Sequence, residues 1–415
     1  PPPPPPDDLD AGAAGAPSSP APSSPAPPDY GGVDQPPPDY GSLPADTAAE
    51  APPAPALGGP PIESGEAYHT RFSGTVERAG RNGPETVIDV DGVVGSIIDL
   101  RNLAEPALGQ HLISEPQRAP ATAADVGQIF GITFDDALSP SIFVTATSAF
   151  GLHLTPGTTQ WMPGMWGPDA GPGTVYRLSP ETGYIPEFFA EITLDGRRNT
   201  GPALGNIAYD KRSRQLFVSD LETGMIHRLS VDDGAELGRY DHGIEGRPSF
   251  LDAESGQAMS LPPVPFDPRT AAAIGTCAAG TFDTHPDCWN FADFRRRVWG
   301  LAVRGDAARG EVRLYYAVWG SDGFGNPAWG AAGDERRNAV WSVGILADGA
   351  FDTASVRREF LLPGFFEQGP MAGSSRPISD IEFAACGEQR VMLLAERGGA
   401  RNLGLDREDA FATPH

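Results

Sequence analysis

Lysine is nearly absent from this 415-residue sequence: Lys211 is the only one, beside 29 arginines. Mechanisms that need a lysine nucleophile, or a phosphate-binding Gly-Lys-Ser/Thr loop, therefore have almost no residue to use. The sequence has no apolar run of about 18 residues, which excludes a membrane-spanning helix. It also lacks the G-x-S-x-G, H-E-x-x-H and paired C-x-x-C motifs of common hydrolases and zinc sites.

The chain has little positive charge. Its formal net charge at pH 7 is −25, and an acidic chain does not attract nucleic acid or anionic lipid through its overall field. We therefore expect no nucleic-acid partner.

Cysteine is also scarce, with three in the whole chain. Cys277 and Cys288 lie eleven positions apart in a loop containing glycine and proline. We expect a local disulfide between them, which would indicate an oxidising compartment; free thiols in a reducing compartment are the alternative.

Proline is abundant at the start of the chain. Residues 1–63 hold 21 of the 44 prolines, nine acidic residues and no lysine or arginine. Such a segment buries too little apolar surface to fold and favours extended polyproline II. We interpret it as a low-complexity tail that spaces or tethers the folded part. The repeated Pro-Pro-Asp-Tyr-Gly motif suggests Tyr30 and Tyr40 as docking points for a partner.

Strand-like runs dominate after residue 64, and they recur as a repeat. The first half of the repeat pairs two apolar runs across a short turn. Its copies are Gly131–Asp135 with Ile142–Thr147, Gly205–Asp210 with Gln215–Asp220, Trp299–Val303 with Val312–Val318, and Ser379–Phe383 with Val391–Ala395. The second half has three copies: Gly173–Leu178 with Pro186–Ile192, Gly224–Leu229 with Leu237–Tyr240, and Ala339–Val343 with Glu359–Leu362.

Four short strands per repeat predict an all-β fold, a β-propeller with four-stranded blades over residues 126–415. The repeat gives three full blades and half of a fourth. Residues 64–125 read as further strands. Two alternatives stay open: these strands close a small ring, or sequence beyond this chain completes it.

The segment Gly205–Tyr240, "GNIAYDKRSRQLFVSDLETGMIHRLSVDDGAELGRY", resembles one blade of the NHL, YWTD and SMP-30/gluconolactonase-like propellers. The resemblance implies the propeller fold over about residues 126–397. For the SMP-30-like hydrolases it also implies a calcium ion in the central channel. The oxygen donors at matching positions here are Asn206 and Asp380. The inner-strand glutamate of that family has no counterpart at Phe130 or Gly131.

The long connections of the repeat all fall on one face of the predicted propeller, including an insertion at 245–298 that carries the cysteines. Loops of this kind often carry function on a rigid scaffold. Most tryptophans lie in them or near the same rim, so an aromatic binding surface is predicted; a small structural core for the loops is the alternative. The predicted binding residues are Trp161, Met162, Met165, Trp166, Trp289, Trp299, Trp319 and Trp329.

These features favour an extracytoplasmic propeller, periplasmic, secreted or on the cell surface, acting as a binding or assembly module. Its partner would be a protein, peptide or glycan, or another component of the cell envelope. An SMP-30-like metal-dependent hydrolase of lactones or phosphoesters is the alternative. A quinone-dependent propeller dehydrogenase ranks lower, because the sequence has no blade motif specific to that cofactor. No catalytic residue can be named from spacing alone.

Overall fold

The structure, a computed structural model, describes residues 59–80, 83–101, 117–267, 290–306, 310–320, 326–363, 376–386 and 389–397. All of the described residues belong to one compact unit.

The described part is almost entirely β-structure, arranged in small, mostly antiparallel sheets, as the sequence predicts. The first strands are β1 (Glu66–Thr70), β2 (Thr75–Gly80), β3 (Gly83–Ile88), β4 (Val93–Asp99) and β5 (Gln117–Thr122). β1, β4 and β5 form one sheet in the order β1-β4-β5, while β2 and β3 form a hairpin. One short α-helix, α1 (Ala123–Val126), follows β5.

Two four-stranded sheets come next, each with its strands in chain order. The first sheet contains β6 (Ile129–Phe134), β7 (Ile142–Ala146), β8 (Thr174–Leu178) and β9 (Pro186–Glu191). A hairpin of β10 (Thr193–Leu194) and β11 (Arg197–Arg198) precedes the second sheet. That second sheet contains β12 (Leu204–Asp210), β13 (Gln215–Asp220), β14 (Met225–Ser230) and β15 (Glu236–Asp241).

The third sheet has six strands and the fourth has two. The strands are β16 (Phe250–Asp252), β17 (Gln257–Met259), β18 (Val298–Asp306), β19 (Glu311–Val318), β20 (Ala339–Ile345), β21 (Phe351–Leu361), β22 (Ile378–Cys386) and β23 (Gln389–Glu396). The third sheet runs β18-β19-β20-β21-β16-β17, and the fourth is β22-β23. Short helical turns occur at Pro180–Thr182, His242–Gly246, Trp329–Ala331 and Gly333–Arg336.

The four predicted copies of the first half-repeat are confirmed as antiparallel pairs, β6-β7, β12-β13, β18-β19 and β22-β23. The hairpin β16-β17 inside the 245–298 insertion was not predicted. It joins the outer edge of the third sheet through a parallel pairing of β16 with β21. These strands are only three residues long and carry little apolar alternation, which explains why the pattern did not reveal them.

In the first three sheets, the most deeply buried strand lies in the middle of the sheet, not at its edge. All residues of β7, β13 and β20 are buried, whereas β9 and β15 are largely exposed or half-buried. The buried strands are rich in β-branched and aromatic residues, which suit a strand covered on both faces. The first strands β6, β12, β18 and β22 pack side by side, so the four sheets meet along them.

A shared irregularity marks the start of each first strand. The register with the second strand shifts between Ile129 and Ile132, and the equivalent shifts follow Leu204, Val298 and Ile378. Such bulges bend a strand and redirect its side chains. They occur at one edge of the sheets, where first strands begin and second strands end; we call it the long-loop edge.

The strands of residues 64–125 pack against the first sheet. Tyr68 and Ile97 share a buried cluster with Val144 and Tyr176. Within the described ranges these strands pair with one another, and none pairs with β22 or β23. None of the helices in the described part has the length and apolar character that crossing a bilayer requires.

Candidate functional site

The predicted Trp-Met segment lies in the connection between β7 and β8 and is largely part of the core. Met162 and Met165 are 3% and 0% exposed. Trp161 and Trp166 are half-buried, meet edge to face with centroids 5.6 Å apart, and pack on the apolar cluster beneath the first sheet. These side chains thus pack the long loop onto the core, and their role in binding a partner stays a prediction.

The two tryptophans near the predicted rim are also core residues. Trp299 in β18 and Trp319 after β19 are each 2% exposed. Their rings meet edge to face at 5.7 Å. A partner cannot reach either ring without moving what covers it, and the binding role of these two residues stays a prediction.

Trp329 is the remaining predicted tryptophan in the described part. It is half-buried, its indole nitrogen donates to the carbonyl of Gly320 at 2.9 Å, and Arg336 stacks on it at 5.4 Å. Trp289, the cysteines Cys277 and Cys288, and the tail tyrosines Tyr30 and Tyr40 lie outside the described residues.

The structure brings the two predicted metal-binding residues together. Asn206 in β12 and Asp380 in β22 belong to the second and fourth sheets, and Asn206 Nδ2 donates to Asp380 Oδ1 at 2.7 Å. Asp380 Oδ1 also accepts the backbone N–H of Ile381 at 2.9 Å. Asp380 is an exposed residue, yet partial loss of hydration around its carboxyl group raises the pKa of that carboxyl, and the hydrogen bond from Asn206 opposes the shift.

This arrangement does not fit a calcium ion. The amide of Asn206 turns its nitrogen to the carboxylate, while Oδ1 accepts the backbone N–H of Ile207 at 2.8 Å. Calcium needs six to eight oxygen ligands, and the amide oxygen is already engaged. In the part of the chain that the structure describes, no three His, Cys, Asp or Glu side chains gather as a metal site would require.

An unbroken series of aromatic rings lies at the long-loop edge, and we call these six residues the aromatic cluster. Neighbouring ring centroids are between 5.7 and 6.4 Å apart. In order, the members are Phe72, Phe150, Phe130, Trp299, Trp319 and Phe291. The four phenylalanines are half-buried and the two tryptophans fully buried. The accessible rings of this edge are therefore phenylalanines.

An arginine stacks near each end of the aromatic cluster. Arg297 lies over Trp319 at 4.6 Å, and its Nε donates to the carbonyl of Ala292. Arg397 lies over Phe150 at 4.7 Å and over Phe130 at 5.5 Å. The two guanidinium groups differ in what they bond to.

Arg397 has no counter-charge in the described part of the chain. Its Nη2 is buried without a hydrogen-bond partner, and no carboxylate stands within an ion-pair distance. Burial alone lowers the pKa of this guanidinium, to about 9. An uncompensated buried cation is costly. The indole nitrogen of Trp299, in the same cluster, also lacks an acceptor.

Sequence reasoning named two members of this cluster, Trp299 and Trp319, but missed its phenylalanines because it weighted tryptophan and methionine over phenylalanine. Phe130 stood out only as the position where a glutamate of the resembling family is not matched. A signal for Arg397 did exist: it directly follows β23, at the end of the fourth first-half repeat. Its lack of an acid partner depends on the fold, so the sequence could not reveal it.

Comparison with known proteins assigns no family to the chain. No family model matches it, and no curated protein matches it.

Among solved structures, a nidogen/laminin complex matches at 14% identity over 69% of this chain and 62% of that chain, with a TM-score of 0.28. The chain therefore spans less than two thirds of that protein's length. A Trichoderma reesei carbohydrate-active enzyme of family AA12 matches at 11% identity over 81% of this chain and 95% of that one, with a TM-score of 0.32.

A third structure is the PQQ-bound aldose sugar dehydrogenase from Streptomyces coelicolor. It matches at 11% identity over 78% of this chain and 90% of that chain, with a TM-score of 0.24. Similarities this weak support no argument about fold or function, so the functional argument depends on the residues themselves.

Proposed function

We propose that the chain is a β-propeller binding module whose long-loop edge holds a partner. The support for the architecture is internal to the chain. Three sheets share a four-stranded antiparallel meander, their first strands pack together, and all four sheets carry a bulge at the same place. A repeated sheet that meets its neighbours along one strand is the plan of a propeller blade.

The observation that carries the binding role is the guanidinium of Arg397. The residue is half-buried over Phe130 and Phe150, its Nη2 is enclosed, and in the described part of the chain no carboxylate pairs with it. A partner carboxylate would supply the missing counter-charge through charge-assisted hydrogen bonds, which are the stronger kind. Nη2 makes no hydrogen bond in the described part of the chain while the face of the guanidinium stacks on the rings, so a carboxylate that reaches this atom would pair with it.

The surroundings narrow the ligand to one carboxylate attached to an apolar group. The four phenylalanines of the aromatic cluster offer apolar contact to the rest of the ligand. A polyanion would be repelled by a chain of net charge −25. A protein or peptide segment with a single carboxylate beside an aromatic side chain meets both conditions.

The hydrolase alternative would depend on Asn206 and Asp380 as metal ligands. The side-chain oxygen of Asn206, which would have to bind the metal, already accepts a hydrogen bond. We therefore do not propose this alternative. The expected extracytoplasmic location remains part of this proposal; mass spectrometry of the non-reduced protein, with Cys277 and Cys288 found linked, would support it, and free thiols on both would count against it.

Isothermal titration with two tripeptides tests the binding role. The peptides are acetyl-Ala-Ala-Phe with a free carboxylate and the same peptide amidated. We expect the acid to bind at least about tenfold more tightly than the amide, because the amide cannot form the charged hydrogen bond to Arg397. Equal affinities, or no binding of either, would contradict it.

Phe150→Leu offers a matched variant, because leucine keeps the apolar volume and removes the ring beneath Arg397. It should weaken binding of the acid by a few fold. The same change at Phe383, which stacks on Arg304 at 4.8 Å and lies outside the aromatic cluster, should leave the affinity unchanged.

A further inference from the structure

The binding role proposed above does not involve His242, a buried histidine with one ring nitrogen that has no hydrogen-bond partner in the described part of the chain. His242 follows β15 in a single π-helical turn and is 0% exposed. Its ring packs edge to face on Trp341 at 4.7 Å and on Tyr316 at 5.4 Å. Nε2 is buried and has no hydrogen-bond partner.

The other ring nitrogen ends a chain of hydroxyl groups. Nδ1 is 3.0 Å from the hydroxyl of Tyr316, which is 3.0 Å from the hydroxyl of Tyr240. If each hydroxyl donates to the next group, Nδ1 accepts and the imidazole proton is on Nε2. Burial and the nearby cations of Arg247 and Arg296 hold the pKa of His242 well below its usual value. The ring is therefore neutral at pH 7, with Nε2–H as a donor.

His242 lines a cavity of about 30 Å³ at the long-loop edge of the third sheet. This volume has room for about two water-sized groups. The ion pairs Arg247–Glu335 and Arg337–Asp334 form one part of the cavity lining. The rest of the wall is partly apolar, with Trp341, Leu261 and Val318, and partly cationic, with Arg295 and Arg358.

These two arginines are held in place from outside the cavity. Arg295 bonds Asp293 through Nε and Nη2, and Arg358 bonds Asp252 through the same two atoms. In the described part of the chain, neither Nη1 makes a hydrogen bond. The cavity thus offers N–H donors from three residues, His242 included, while each of its two lining carboxylates pairs with an arginine.

The geometry points to a binding site for a small carboxylate of formate or acetate size, or the carboxylate end of one side chain, anchored by Nε2–H of His242. The two oxygens of such a group match the space, and a donor-rich wall matches its acceptors. None of the residues of the aromatic cluster lines this cavity.

Imidazole NMR of the intact chain tests this site, because only seven histidines contribute signals. The probe is sodium acetate, added in exchange for sodium chloride at constant ionic strength. We expect a saturable shift of the His242 Nε2 signal. Acetamide, which is equal in size but uncharged, should bind at least about tenfold more weakly.

His227 is an internal control. It is also 0% exposed with an unpartnered Nε2, but it does not line the cavity, so its signal should stay in place. Assignment of His242 comes from His242→Gln. Should that variant not fold, Ala339→Val tests the same point: Ala339 lines the cavity, and the added methyl groups should abolish the acetate shift while the His242 signal remains.

Three outcomes would overturn the proposal. One is an unmoved His242 signal at saturating acetate, which would leave ordered water as the partner of Nε2. Another is an equal response to acetamide. The third is an acetate shift that Ala339→Val leaves unchanged, since that shift would arise elsewhere.

Discussion

Asn206 and Asp380 lie 174 positions apart in the chain, yet a 2.7 Å hydrogen bond joins their side chains. The bond links the first strand of the second sheet to that of the fourth and passes the third. Asn206 also donates to the carbonyl of Ser379 at 3.2 Å. The pair therefore fixes how the first strands meet, whatever its chemical role.

Loss of this bond should destabilise the fold. Asn206→Ala leaves the crowded carboxylate of Asp380 without its side-chain donor, and we expect the free energy of unfolding to fall by about 1–3 kcal/mol. Asp380→Asn keeps an acceptor for Asn206 and should cost less. Urea unfolding of both variants at pH 7 measures the difference; an equal loss would show that the charge, and not the bond, matters.

The same pair predicts a pH dependence. The folded-state pKa of Asp380 is raised, so the folded chain holds this proton more tightly than the unfolded chain does. The stabilisation from protonated Asp380 is present at low pH and is lost as pH rises through the raised pKa. Asp380→Asn should therefore gain stability relative to the natural protein between pH 3 and pH 7. Parallel stability curves would contradict this.

Gly131 in β6 allows two first strands to approach closely. A Cβ atom there would lie 2.6 Å from Thr145 Oγ1 and 2.9 Å from the Cα of Asn206. Gly131→Ala should therefore lower the free energy of unfolding by about 1–3 kcal/mol. The control is Gly330→Ala, because a Cβ atom at Gly330 meets nothing within 4 Å. Thermal unfolding compares the two, and a Gly131→Ala protein as stable as the control would refute the close approach.

Trp161 and Trp166 should behave as structural residues. Both pack on the buried cluster beneath the first sheet, so Trp161→Ala should cost about 3 kcal/mol of stability. Trp329→Ala, at a more peripheral ring, should cost about 1 kcal/mol. The denaturant midpoints of the two variants measure this difference. A Trp161→Ala protein as stable as the natural protein would contradict the structural role and favour a role in binding.

Strand pairing was readable from the sequence because it depends on local patterns. Runs such as Gln215–Asp220 are fully buried in the structure, and their apolar content alone predicts a covered strand. Turn residues then set which run pairs with which. The all-β class and the four pairs of first and second strands follow from that information.

Exposure of aromatic side chains was not readable, because it depends on distant segments. Trp299 is buried by Phe130 and Trp319, which come from other parts of the chain. The meeting of Asn206 with Asp380 was foreseen only as two matching strand positions. Their hydrogen bond favours a structural role over the predicted metal site. The sequence could not predict this bond, because it depends on how two distant strands pack against each other.

We propose that Arg397 pairs with a carboxylate of the ligand. Two measurements on the Arg397→Gln variant, of stability and of peptide binding, test this proposal. Removal of an uncompensated buried cation should leave the free energy of unfolding unchanged or raise it by about 1–2 kcal/mol. The same change should abolish the preference for acetyl-Ala-Ala-Phe acid over its amide. A protein that unfolds more easily and keeps that preference would show that Arg397 supports the fold and that the ligand binds elsewhere.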